Sequence, residues 1–256
     1  MARKIVVTSG KGGVGKTTVA VYLSVALARK GKRVILCDAD FGLNNVDVAT
    51  GVESLVAYDV VDIIEGRCRA KQALVRHPSY PNLYILTSSH SAPERYVSPQ
   101  SFKLVLETLA PTFDFIFIDC PAGIDDGFHR AVASSEEAIV VTTPQISAIR
   151  DADKVITLLK SYEFSNVSLA VNKARGDLLV RGESLAPKEI SQLLKIPLLG
   201  TIPEEDLIYA GGVEDLHPAF KSLSNRLLTG KGKPYDVTKK YKGVIGGIRR
   251  YLKRGL

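Results

Sequence analysis

Gly10, Gly15, Lys16 and Thr17 stand at the spacing G-x-x-x-x-G-K-[ST] within the stretch SGKGGVGKTT. Glycines at these points let backbone N–H groups turn inward around phosphate oxygens, the lysine reaches the terminal phosphates, and the hydroxyl can ligate Mg²⁺. Gly10, Lys11, Gly12, Gly13, Val14, Gly15, Lys16, Thr17 and Thr18 are therefore the expected nucleotide-binding loop. This loop holds one lysine more than its chemistry needs, because Lys11 arrives directly after the first glycine, far from Lys16.

Phosphoryl chemistry on such a loop needs carboxylates at neighbouring strand ends to hold Mg²⁺ and water. Two stretches supply them: VILCDAD, which ends in Asp38 and Asp40, and FIFIDCPAG, which carries Asp119. Pro121 and Gly123 follow Asp119 and would let the chain move as the phosphate changes. The competing reading of Asp38 and Asp40 is that they cap a loop or a helix. For the base, the segment NKAR places Arg175 three residues after Asn172, where a guanine site wants an aspartate, so guanine is disfavoured.

The elements that must position these groups follow from hydrophobic periodicity. Short apolar, β-branched runs predict strands over 4–8, 34–38, 83–86, 115–119, 138–142, 168–172 and 198–202. Amphipathic stretches between them predict helices over 16–30, 98–109, 146–160, 187–194 and 218–228. This alternation is the pattern of an α/β, doubly wound, mainly parallel sheet with helices on both faces, the P-loop NTPase fold, with ligands beyond the carboxyl ends of the strands. The organisation expected is a domain over 1–229, a glycine-, lysine- and proline-rich linker over 230–238, and a tail over 239–256.

Composition narrows the classes. A chain of 256 residues, 45% hydrophobic and 24% charged, suits one domain with a sizeable core. It has no apolar run long enough to span a bilayer, and the first strand follows Met1 directly, so a cytoplasmic protein is expected. Cys37, Cys68 and Cys120 are widely spaced and form no CxxC pair. That argues against a disulfide framework, a zinc ribbon and an iron–sulfur carrier or nitrogenase-like reductase.

The tail holds the charge. Its seven basic residues, with no acidic one, equal the whole formal excess of +7. Tyr241, Val244, Ile245, Ile248 and Leu252, joined by Tyr251, recur at three- and four-residue spacing. A helix would gather them on one side, flanked by Arg249, Arg250, Lys253 and Arg254. Gly243, Gly246 and Gly247 each cost about 1 kcal/mol of helix propensity, so the tail is expected to be disordered in water. At an anionic bilayer each basic residue contributes about 1 kcal/mol, and folding would accompany binding. A plain solubilising basic end is the alternative.

Taken together, MARKIVVTSGKGGVGKTT, DADFGLNNVD, YDVVDIIEG, NLYILTSS, DCPAGID, SAIRDADK, GTIPEED and the basic amphipathic terminus resemble the ParA/MinD family of ATPases with deviant Walker A loops, its membrane-associated cell-division members above all. The resemblance spans nearly the whole chain. It implies a Mg²⁺-dependent ATPase in which Lys11 crosses the interface of an ATP-dependent homodimer to the nucleotide of the other subunit. Lys11 would thus do in trans what an arginine finger does elsewhere. It further implies that Asp40 positions or activates water, that Asp38 and Thr17 serve Mg²⁺, and that Asp119 is the Walker B-like residue. Asn172, Pro203 and Glu204 are implied at adenine, and the helix opening with Arg150, Asp151 and Asp153 as the surface for MinC-like or MinE-like partners. A plain solvated helix face is the alternative for that surface. Two tails on one dimer would raise avidity for the inner face of the cell membrane by roughly 10² to 10⁴. A ParA-like DNA-partitioning ATPase and a motility-associated relative are the competing readings. The apolar stripe within the tail favours lipid over DNA, which rewards charge alone.

Overall fold

The computed structural model describes residues 1–41, 45–88, 97–210, 215–243 and 246–247. Their elements run β1 (Arg3–Thr8), α1 (Lys16–Ala28), β2 (Val34–Asp38), α2 (Val46–Thr50), α3 (Val60–Ile64), β3 (Val75–Arg76), β4 (Leu83–Leu86), α4 (Pro99–Leu109) and β5 (Phe115–Asp119). Then follow α5 (Asp126–Ala133), β6 (Glu137–Thr142), α6 (Ile146–Leu159), β7 (Asn166–Ala174), α7 (Gly176–Arg181), α8 (Pro187–Leu194), β8 (Leu198–Pro203), α9 (Asp206–Ala210) and α10 (Pro218–Thr229). The strands form one sheet in the order β3-β4-β2-β5-β1-β6-β7-β8, parallel except where β3 meets β4.

The strand sequences explain this sheet. IVVT of β1, VILC of β2 and FIFI of β5 are apolar on both pleat faces, and their residues from Ile5, Val34 and Phe115 onward are all buried. A strand of that kind needs cover on both sides. One side is covered by α4, α5, α6 and α8, packed over Phe102, Phe128, Val155 and Ile190. The other is covered by α1 and α10, with Tyr22 stacked on Phe220 at 4.8 Å between ring centres. Each fully buried large side chain of this kind is worth about 1.5–3 kcal/mol.

All seven expected strands and all five expected helices are present, with ends shifted by up to two residues. β3 and the short helices α2, α3, α5, α7 and α9 were not expected. The helix α3 opens with a capping box between Asp59 and Asp62, and α10 starts at Pro218 and is capped at its end by Gly230, whose φ is +66°. The crossover from β1 runs through α1 to β2, past β5, and the one from β5 runs through α5 to β6 on the other side of β1, so the strand order reverses beside β1. The crevice at its carboxyl end is where a doubly wound sheet offers a site.

The expected boundary between body and tail moves. Val237 and Tyr241 are buried, and the chain from 237 to 241 lies directly on Gly176 at the start of α7. Lys240 pairs with Glu205 at 2.7 Å. Residues 230–238 are therefore not a free linker, and Tyr241, expected on the membrane-facing stripe, is core-facing. Val244, Ile245, Ile248, Arg249, Arg250, Leu252 and Lys253 lie outside the described residues.

Candidate active site

The loop between β1 and α1 turns at Gly13 and Gly15, whose φ values of +76° and +92° only glycine adopts freely. At Gly15 there is a second reason: a Cβ there would overlap the amide of Asn172. That amide, at the end of β7 and wholly buried, donates to the Val14 carbonyl at 2.8 Å. Lys16 is buried at the first turn of α1, and its helix N-terminus faces a cavity of about 550 Å³. Lys16, Thr17, Thr18, Asp40, Asp119 and Lys173 line that cavity with the glycines. A volume of this size suits a nucleotide-scale ligand.

The two aspartate stretches meet because β2 and β5 are neighbours in register, with Asp38 opposite Asp119. Thr17 Oγ1 donates to Asp119 Oδ2 at 2.6 Å, while the other carboxylate oxygen of Asp119 is buried without a partner. Burial first, and then the neighbouring charge of Asp38, push the Asp119 carboxyl up to about 7; Thr17 and Lys16 oppose the shift. Asp38 is raised to about 6, again chiefly by burial. A buried, charge-poor carboxylate pair with an orphaned oxygen beside a lysine is a place where a cation is favourable. Among the described residues no three His, Cys, Asp or Glu side chains converge to make an all-protein metal cage. Thr17 and Asp119 offer the oxygens that suit Mg²⁺, which is bound by one or two carboxylates together with phosphates and water.

Asp38 and Asp40 divide the labour differently from expectation. Asp38, placed beforehand at the metal, accepts from the backbone N–H of Asp40 at 2.8 Å and of Val46 at 3.1 Å, and does not line the cavity. It ties the turn after β2 to the first residue of α2, the capping-type role named above as the alternative. Asp40 is the residue of that turn that reaches the cavity wall.

Lys11 points elsewhere. It is exposed, does not line the cavity beside Lys16, and its Nζ lies 3.2 Å from Ser147 Oγ at the start of α6. The same helix presses on the loop at Gly10, where a Cβ would overlap the Asp151 carbonyl. Arg150 and Asp153 are exposed, and Asp151 is half-buried with Lys154 at 3.2 Å. A second cavity, of about 480 Å³, adjoins through Lys173 and is lined by Pro144, Arg175, Leu178, Leu185 and Glu204. Pro203 is buried at the end of β8 beneath it. Arg175 is held by both oxygens of the buried Asp177, at 2.9 and 2.7 Å, so this part of the wall is fixed and its charge is paired. Sequence reasoning missed Lys173, Arg175 as a wall residue, and Asn45, Val48 and Ala49 from α2 and its cap at the phosphate cavity.

Comparison with known proteins agrees with this geometry. A family model described as an AAA domain matches residues 2–171. The septum site-determining protein MinD of Synechocystis is 39% identical over all of both chains. MinD in the MinC:MinD cell division complex of Aquifex aeolicus superposes with a TM-score of 0.82 at 35% identity, over 91% of this chain and 98% of that one. MinD of Pyrococcus horikoshii, solved with Mg-ADP, gives 0.79 at 32% identity, over 91% and 100%. The chain belongs to the MinD family of septum site-determining cell-division ATPases.

Proposed function

We propose that the chain is a Mg-ATP-driven membrane switch. ATP joins two copies face to face, the pair holds the inner face of the membrane through two C-terminal tails, regulatory proteins dock there, and hydrolysis returns single chains to the cytoplasm. One observation carries the reading: of the two lysines in one loop, Lys16 lines its own cavity while Lys11 lies outside it, exposed beside Ser147 at the start of α6. A lysine so placed serves charge that builds on a nucleotide across an interface better than on its own.

Within one subunit, Lys16 and the inward N–H groups hold the phosphates, and Thr17 with Asp119 presents oxygens to a metal. Bound Mg²⁺ would neutralise charge shared between the terminal phosphates. Asp40 orients the attacking water from the cavity wall, and Asp38 keeps that wall in place by holding the backbone at 40 and 46. Asn172, Pro203 and Glu204 border the base side together with the cavity that Arg175 walls. A MinC-like partner is supported by the MinC:MinD assembly of Aquifex aeolicus, and Arg150, Asp151 and Asp153 on α6 are the surface offered to it and to a MinE-like activator.

The test is cosedimentation with anionic vesicles and, separately, with duplex DNA, under Mg-ATP and Mg-ADP. The intact chain is compared with one ending at Gly243, a cut that leaves the docked segment through Tyr241 in place. ATP-dependent vesicle binding lost on truncation supports the reading. Nucleotide-independent vesicle binding overturns it, and DNA binding without vesicle binding favours the partitioning alternative.

A further inference from the structure

We infer that Lys173 is a positioning residue for the phosphate loop, holding the Gly13 carbonyl outward so that the neighbouring N–H groups face the nucleotide. This rests on the Mg-ATP reading above. An anion cradle works only if carbonyl oxygens turn away from the phosphates, and every carbonyl so turned needs a donor of its own. In this loop four carbonyls have such a donor. Ser9 Oγ donates to the Lys11 carbonyl at 2.8 Å, Asn172 Nδ2 to Val14 at 2.8 Å, and the Val19 N–H to Gly15 at 3.0 Å. The Gly13 carbonyl, at the turn with φ +76°, is taken by Lys173 Nζ at 2.9 Å. That bond is charge-assisted, and therefore stronger than a neutral one in holding the glycine turn.

The backbone at Lys173 shows a cost met for this placement. Its φ is +53°, in the left-handed region that a lysine adopts at some expense. The other described non-glycine residue there, Lys195, closes α8, where such a conformation is ordinary. Lys173 instead lies inside β7. Three steps from Val171 to Ala174 match two from Thr201 to Pro203 on β8, so β7 bulges by one residue at this point. Bulges beside active sites re-aim side chains. Here the bulge lets two consecutive residues, Asn172 and Lys173, reach consecutive loop carbonyls, which an unbroken strand would send to opposite faces. Lys173 also lines both cavities.

The experiment measures Mg-ADP affinity by calorimetry, steady-state ATP turnover, and the thermal midpoint of the nucleotide-free protein for Lys173→Asn, Lys173→Gly and Lys173→Arg. Asparagine and glycine tolerate the left-handed backbone, so both remove the ammonium without adding strain. Both variants are expected to lose about tenfold in affinity, with KM raised more than kcat is lowered, while the thermal midpoint holds or rises. Lys173→Arg, which keeps a charged donor, should recover most of the affinity. Parent-like affinity in Lys173→Asn overturns the role, as does an affinity loss that tracks a fall in thermal midpoint and is not restored by arginine. Failure of the parent itself to bind Mg-ADP would instead overturn the Mg-ATP reading, so the two failures are distinct.

Discussion

Asp38 and Asp119 face each other from adjacent strands, both buried, and each holds its carboxyl well above the usual range. A carboxyl whose pKa is higher folded than unfolded binds protons more tightly in the native state. Stability then falls as pH rises from the unfolded value near 4 through the folded values of about 6 and 7. The metal- and nucleotide-free protein is expected to lose roughly a few kcal/mol across that window. Asp119→Asn should flatten the slope between pH 5 and pH 8, read as the thermal midpoint at each pH. A slope as steep in the variant as in the parent removes the account.

Lys11 and Lys16 should separate cleanly by assay. Lys16→Ala is expected to abolish nucleotide binding, because its ammonium lines the cavity. Lys11→Ala should bind nucleotide nearly as the parent does and lose partner-stimulated hydrolysis by at least about 10²-fold, the scale of a lost trans-acting cation. Mixing supplies the sharper measurement. Inactive Lys11→Ala and inactive Asp40→Ala chains, combined, form pairs in which one site has its own Asp40 and a partner's Lys11. Up to about one site in four should then turn over. No recovered activity means that Lys11 acts within its own subunit.

Gly10 joins the loop to α6. With the Asp151 backbone where a Cβ would go, Gly10→Ala must push the helix away or twist the loop. Overpacking of this kind costs about 1–3 kcal/mol, a drop of several degrees in thermal midpoint for a chain of this length. The same variant should weaken a partner bound at Arg150 and Asp153, since α6 carries both. An unchanged midpoint would mean that the loop yields without effect on the helix.

Most of the sheet was legible because its strands are unbroken apolar runs, buried on both faces, and the phosphate loop because its spacing has few other uses. The short helices were not, since helices of five to eight residues such as α2 and α5 gain their stability from tertiary contacts rather than propensity. Asp38 shows the limit at the site itself. A carboxylate at a strand end can serve a metal or a backbone, and only the positions of the Asp40 and Val46 N–H groups decide between them. The left-handed turn at Lys173 was invisible for a related reason: nothing in NKAR marks a strand bulge, which is set by the register against β8.

Tyr241 illustrates the same ambiguity and leads to the last test. Its spacing from Val244, Ile245 and Ile248 fits an amphipathic stripe, yet its ring lies against Gly176 and only 5% of the residue is exposed. The change from neutral to basic composition marks where charge begins, not where packing ends. A chain ending at Thr238 removes this ring together with the Lys240–Glu205 pair, so it should lose about 2–4 kcal/mol, the range for deleting a buried large side chain. A chain ending at Gly243 should keep the thermal midpoint of the intact protein and lose only its hold on anionic vesicles. Gly176→Val, which fills the space under Val237 and Tyr241, should copy the instability of the shorter truncation while leaving the distal tail intact. Equal midpoints for the two truncations would return the body–tail boundary to residue 238.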